Sequence, residues 1–157
     1  MKSLFSAIVL VSLFSVITSP AFAQPHSVFA GNWELNVAKS KSSVPLSKSS
    51  TFLVEDSGAG IKTTITSVSA EGVKGNEVWS ANFDGAPYPI VGDRGGLSIA
   101  LTRINVNTFT AIAMNQDGSV NNATVAISVD GKTRTTTSKR TYADGTTSTS
   151  TLIYDKQ

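Results

Sequence analysis

Six side chains carry most of the chemistry this sequence offers: Trp79, Arg103, Arg134, Arg140, Tyr142 and Tyr154. Aromatic faces hold an apolar body, while guanidinium and phenol groups hold an anionic or polar head. That is the chemistry of a binding site rather than of bond making. Catalytic types are scarce. The single histidine, His26, stands beside Pro25 near the start of the chain, and there is no cysteine. Neither a Ser-His-Asp nor a Cys-His arrangement is expected inside the domain, nor a His or thiolate metal site. Glu55 and Asp56 sit at a turn, point to opposite faces and read as a solvated strand end. The repeated Asp-Gly dipeptides lack the dense Asp-x-Asp spacing of a calcium loop. No catalytic residue, metal or cofactor is expected.

The elements that hold these side chains begin after an export signal. Lys2, an apolar run over 4–17, then Thr18, Ser19, Pro20 and Ala21-Phe22-Ala23 predict a secretory signal peptide over 1–23, with a single domain over 24–157. The apolar run is shorter than the roughly 20 residues of a spanning helix. No integral membrane segment is therefore expected in the mature chain, and a soluble, monomeric, periplasmic or extracellular protein is. The formal net charge is +2, and the basic residues form no stripe with interleaved aromatics, which argues against nucleic acid. Their densest group is Lys132, Arg134, Lys139 and Arg140.

Turn signals recur along the rest of the chain, above all Asp84-Gly85, Asp117-Gly118, Asp130-Gly131 and Asp144-Gly145. Between them Thr, Val, Ile, Ser and aromatic residues predict strands over 32–36, 51–55, 61–69, 73–83, 88–91, 97–104, 108–115, 120–129, 132–142 and 146–155. An all-β, antiparallel up-and-down barrel of about 8–10 strands in a meander follows, because closure removes exposed edges. The segment 37–49 reads as a long loop after the first strand and a candidate lid.

Register predicts which side chains face inward. If Val106 and Asn107 form a turn, Leu97, Ile99, Leu101 and Arg103 share a face with Ile112 and Met114, and Ala100, Thr102 and Ile104 share the other with Phe109, Ala111 and Ala113. If Asp130-Gly131 is a two-residue turn, Ile127 lies with Arg134 and Val125 with Thr136, so Arg134 and Arg140 turn inward together. A two-residue turn at Asp144-Gly145 places Tyr154 with Thr135 on the opposite face, and a single bulge reverses that. Thr133, Thr135, Thr136, Thr137, Thr141, Thr146, Thr147, Thr149 and Thr151 make both faces of the last hairpins polar or short. That suits a barrel around a wet cavity and argues against an outer-membrane barrel.

Gly31-Asn32-Trp33 near the start of the mature chain resembles the Gly-x-Trp opening of the calycin superfamily of lipocalins and fatty-acid-binding proteins. Phe29-Ala30-Gly31-Asn32-Trp33-Glu34-Leu35-Asn36 with Lys39-Ser40-Lys41-Ser42, Phe83-Asp84-Gly85, Tyr88-Pro89, Leu101-Thr102-Arg103-Ile104 and Tyr154-Asp155-Lys156-Gln157 together are similar to small secreted bacterial lipocalin-like proteins. The resemblance implies a barrel whose Trp, here Trp33, packs across a closed end under a basic side chain from a late strand. Gly31 leaves it room, and Arg140, Lys139 and Lys156 compete for the basic partner. The chain end also resembles that of intracellular fatty-acid-binding proteins, where an Arg and a Tyr grip the ligand carboxylate; Leu152 stands at the Arg position and Tyr154 at the Tyr position. The implied function is binding of a small hydrophobic or amphipathic molecule without catalysis. The alternative is a packed barrel acting as an envelope interaction module for a protein or glycan.

Overall fold

The computed structural model describes residues 27–157. The predicted signal peptide and His26 lie outside the described residues. Eleven strands form: β1 Gly31–Leu35, β2 Lys41–Ser42, β3 Ser49–Ser57, β4 Gly60–Val68, β5 Lys74–Asn82, β6 Asp84–Gly92, β7 Gly96–Asn105, β8 Thr108–Asn115, β9 Val120–Ile127, β10 Thr133–Thr141 and β11 Thr147–Lys156. Every pairing is antiparallel, and β3 to β11 follow one another as a meander. Trp33↔Lys156, Glu34↔Asp155 and Leu35↔Tyr154 pair β1 with β11 and close the barrel. No helix among the described residues is long and apolar enough to cross a membrane.

The short β2 was not expected. After β1, Asn36 caps a single turn of 3-10 helix over Val37–Lys39, its side-chain oxygen accepting from the Lys39 N–H at 3.0 Å. The chain then rejoins the free half of the β11 edge through Thr151↔Lys41 and Ser150↔Ser42. β1 and β2 therefore act as one broken strand, which leaves only Ser43 to Lys48 to cross the mouth of the barrel.

Turn geometry decided which faces point inward. The Val106-Asn107 turn forms, but β7 slips by one residue between Arg103 and Asn105, so Arg103 pairs with Phe109, Leu101 with Ala111 and Ile99 with Ala113. The expected partners Ile112 and Met114 lie outside, 48% and 52% exposed. The expected face assignment of this hairpin is thus reversed by a bulge, whose extra residue shifts the side-chain alternation. A second slip at Gly96/Ser98 leaves Leu97 outside as well. The Asp130-Gly131 loop is longer than two residues, closing from Ser128 to Thr133, yet it keeps the expected Arg134↔Ile127 register. The Asp144-Gly145 loop spans three residues between Tyr142 and Thr146, with Gly145 at φ +84°. That odd count carries Tyr154 onto the Arg134 face, not the Thr135 face.

One end of the barrel is sealed by aromatic packing. Trp33 is fully buried, its indole N–H donates to the Phe29 carbonyl at 2.9 Å, and the Lys156 ammonium lies 5.0 Å from the ring centre. Of the three basic residues that compete on sequence, Lys156 is the one above Trp33. Beside it Phe29, Phe83 and Phe109 meet with ring centres 4.8 to 5.7 Å apart. An added Cβ on Gly31 would lie 2.5 Å from Lys156 Cε, so glycine is what lets the lysine stem fold over this floor.

Candidate functional site

Successive inner residues on each strand run from apolar at the sealed floor to polar at the mouth. On β9 the order is Ile127, Val125, Ala123, Asn121; on β8 it is Phe109, Ala111, Ala113, Asn115; on β11 it is Tyr154, Leu152, Ser150, Ser148. On β10 a cation interrupts the apolar end, and the order is Arg134, Thr136, Ser138, Arg140. All of these side chains but Ile127, which packs below it, line a cavity of about 390 Å³, walled also by Phe52, Ile65, Trp79 and Ile99. Ser42, Val44, Pro45, Leu46 and Ser47 reach over its rim. The segment expected as a lid thus contributes lining.

The predicted site residues divide by place. Trp79, Arg134, Arg140, Tyr142 and Tyr154 all line the cavity. Arg103 does not. It sits outside the floor, its guanidinium carbon 4.2 Å from the Phe83 ring centre and 5.2 Å from that of Phe29, because it stands at the end of β7 beside the 106–107 turn, at the sealed end. Trp33 and Gly31 lie at the floor and β1 closure, away from the lining. The basic group also splits: Arg134 and Arg140 turn inward, while Lys132 and Lys139 are exposed.

Arg134 is 6% exposed and lies over the Phe52 ring, 4.2 Å from guanidinium carbon to ring centre. Its Nε has no hydrogen-bond partner among the described residues, and neither has Thr136 Oγ. Burial pushes the guanidinium down to about 10, with the Tyr154 phenol opposing, so it stays charged at neutral pH. Burial pushes the Tyr154 phenol up, against the nearby Arg134 charge and a hydrogen bond from Ser50, so it stays a neutral hydroxyl.

The other two arginines of the cavity are engaged. Arg94 meets Glu77 at 3.4 Å, and the same carboxylate accepts from the Gly96 N–H at 2.9 Å. At the mouth Arg140 donates to Ser119 Oγ at 2.8 Å and to Asp117 at 2.9 Å, tying the β8–β9 loop to β10, and stacks 5.3 Å from the Tyr142 ring centre. The Asp117 carboxyl is held below its usual range, first by the Ser119 hydroxyl. Tyr142 OH is 3.3 Å from Ser148 Oγ.

Phe52, Glu77 and Thr136 were not picked out as site residues. Phe52 alternates with Val54, and Glu77 with Trp79, so strand parity held a signal for both. In comparisons with known proteins, the chain matches no protein-family model and no curated protein.

Proposed function

We propose that this protein is an exported, lipocalin-like carrier that binds one small amphipathic or apolar molecule inside its barrel, without catalysis. The observation that carries the reading is the cavity of about 390 Å³, which lies within the range of small-molecule sites, roughly 300–1,000 Å³. Its apolar floor and polar rim suit a molecule with two unlike ends. The reading without catalysis is supported by Glu77, the one carboxylate among the described lining residues, which is tied into the wall by Arg94 and by the Gly96 N–H. Export rests on the sequence signal over 1–23.

Native mass spectrometry of protein recovered from its own cells or medium, with titration of the neutral fluorophore N-phenylnaphthylamine, tests this reading. Retained mass or saturable one-to-one dye uptake is expected. A barrel that retains nothing and leaves the dye dark refutes it.

A second reading, an interaction module of the cell envelope, draws on the outer wall. Val78, Val91, Leu97, Ile112 and Met114 are exposed on adjacent strands β5 to β8, and apolar exterior surface of this kind marks contact sites. Crosslinking in cells that returns one envelope partner, lost with Ile112→Lys, would favour it.

A further inference from the structure

Arg134 is a buried cation that no described carboxylate neutralises. Arg94 and Arg140, which share its cavity, both have acidic partners. The interior therefore carries one uncompensated positive charge. A second orphan donor stands two residues along the same inner face, the Thr136 hydroxyl. Buried polar groups are ordinarily paired, and a charge that is not is costly. Two such groups side by side, both lining a cavity, describe half of a binding contact whose other half arrives from outside.

Depth sets the size of that other half. Arg134 lies near the floor, beside Phe52 and the Tyr154 ring. Four residues further along β10 the wall has become hydroxylic, with Ser138 and Ser150 bonded to each other at 2.9 Å. Four residues of strand span about 13 Å, and the roughly 40° strand tilt of a small barrel reduces this to about 10 Å along the axis. That length holds one or two rings. A long alkyl chain starting at Arg134 would have to run through the Ser and Asn rim, where its methylenes would strip water from hydroxyls and amides without replacing their hydrogen bonds.

Resting on the carrier reading above, we propose that the ligand is a compact monocarboxylate with an aromatic or short apolar body and a hydrogen-bonding far end. The carboxylate sits on Arg134 and Thr136, the body lies against Phe52 and Trp79, and the polar end meets the level of Ser138 and Ser150. A single charge is implied because a single cation is unpaired. The guanidinium edge and the hydroxyl together satisfy a carboxylate, whereas a dianion would keep half its charge buried without a partner.

Calorimetric titration of the full protein with 4-hydroxycinnamate, its methyl ester and hexadecanoate tests the assignment. The acid is expected to bind at least ten-fold more tightly than its ester and no less tightly than hexadecanoate. Arg134→Met should erase the preference for acid over ester, and Thr136→Val should weaken acid binding several-fold, both with an unchanged β-sheet circular dichroism spectrum. Equal binding of acid and ester to the unmodified protein overturns the proposal without need of any variant. So does tighter binding of hexadecanoate, or an Arg134→Met protein that still discriminates. If N-phenylnaphthylamine enters the barrel but 4-hydroxycinnamate does not, this assignment fails and the carrier reading stands. If neither binds and native mass spectrometry finds nothing retained, both fail.

Discussion

Arg134 and Tyr154 are cross-strand partners on β10 and β11, both aimed into the barrel, with the guanidinium carbon 5.7 Å from the centre of the phenol ring. One loop residue makes them neighbours: a three-residue connection at Ala143-Asp144-Gly145 carries both to the inner face, where a two-residue turn would have parted them. Burial holds Arg134 in a charged but costly state. The consequence is a conflict between stability and binding.

Arg134→Met should therefore stabilise the protein. A guanidinium brought down from its ordinary value to about 10 corresponds to about 3 kcal/mol against folding, offset by about 1–2 kcal/mol from its aromatic neighbours. The depressed folded value belongs to a base, so the unfolded chain holds the proton more tightly. The penalty is then full below about pH 10 and shrinks as pH rises above it toward the unfolded value. At pH 7 the substitution should add about 1–2 kcal/mol, read as a rise of several degrees in Tm by thermal unfolding. A fall in Tm would show that the cation holds the fold together.

Trp33→Ala should cost about 3–5 kcal/mol, because a fully buried indole and its hydrogen bond to Phe29 are lost and the floor is left with a cavity. Lys156→Met should cost far less, about 0.5–1 kcal/mol, since it removes an exposed cation from the ring and keeps the stem. Urea unfolding followed by circular dichroism separates the two. An unchanged midpoint for Trp33→Ala would mean the indole does not hold the floor.

Two glycines should respond differently to alanine. Gly145 has φ +84° and open space around an added Cβ, so Gly145→Ala should cost only the left-handed backbone penalty, about 1–2 kcal/mol. Gly31 has φ +144°, and its added Cβ would also collide with Lys156 Cε. Gly31→Ala should cost more, and Lys156→Ala in the same chain should recover part of the loss. Additive losses in that double-mutant cycle would rule out the collision.

Acid should weaken the loops first. Asp84, Asp117, Asp130, Asp144 and Asp155 are all held below the usual carboxylate range, chiefly by hydrogen bonds from Tyr88, Ser119, Ser128, Thr146 and Asn36 respectively. Their folded values are depressed, so the stability they contribute is complete above about pH 4 and is lost as pH falls through the folded values. Tm measured from pH 6 to pH 2 should be flat and then drop below about pH 4. Asp144→Asn should make that drop shallower.

Period-two alternation, hydroxyl-rich strands and Asp-Gly turns determined the all-β meander, the positions of ten of the eleven strands and the inward pairing of Ile127 with Arg134. These are local properties: alternation and turn chemistry act within a few residues and need no distant partner. Loop length and bulges lay beyond the sequence. Asp144-Gly145 is compatible with two residues or three, and the slip after Arg103 leaves no local mark. Each such choice changes parity, so one residue sends Ile112 and Met114 to the outside and Tyr154 into the cavity. Tertiary closure decides them, because β11 must meet β1 on one edge and β10 on the other while the barrel buries its aromatics. The same closure strands Arg134 among rings with its Nε unmatched. Composition contained the arginine; only the folded barrel made it an unpaired charge facing a cavity.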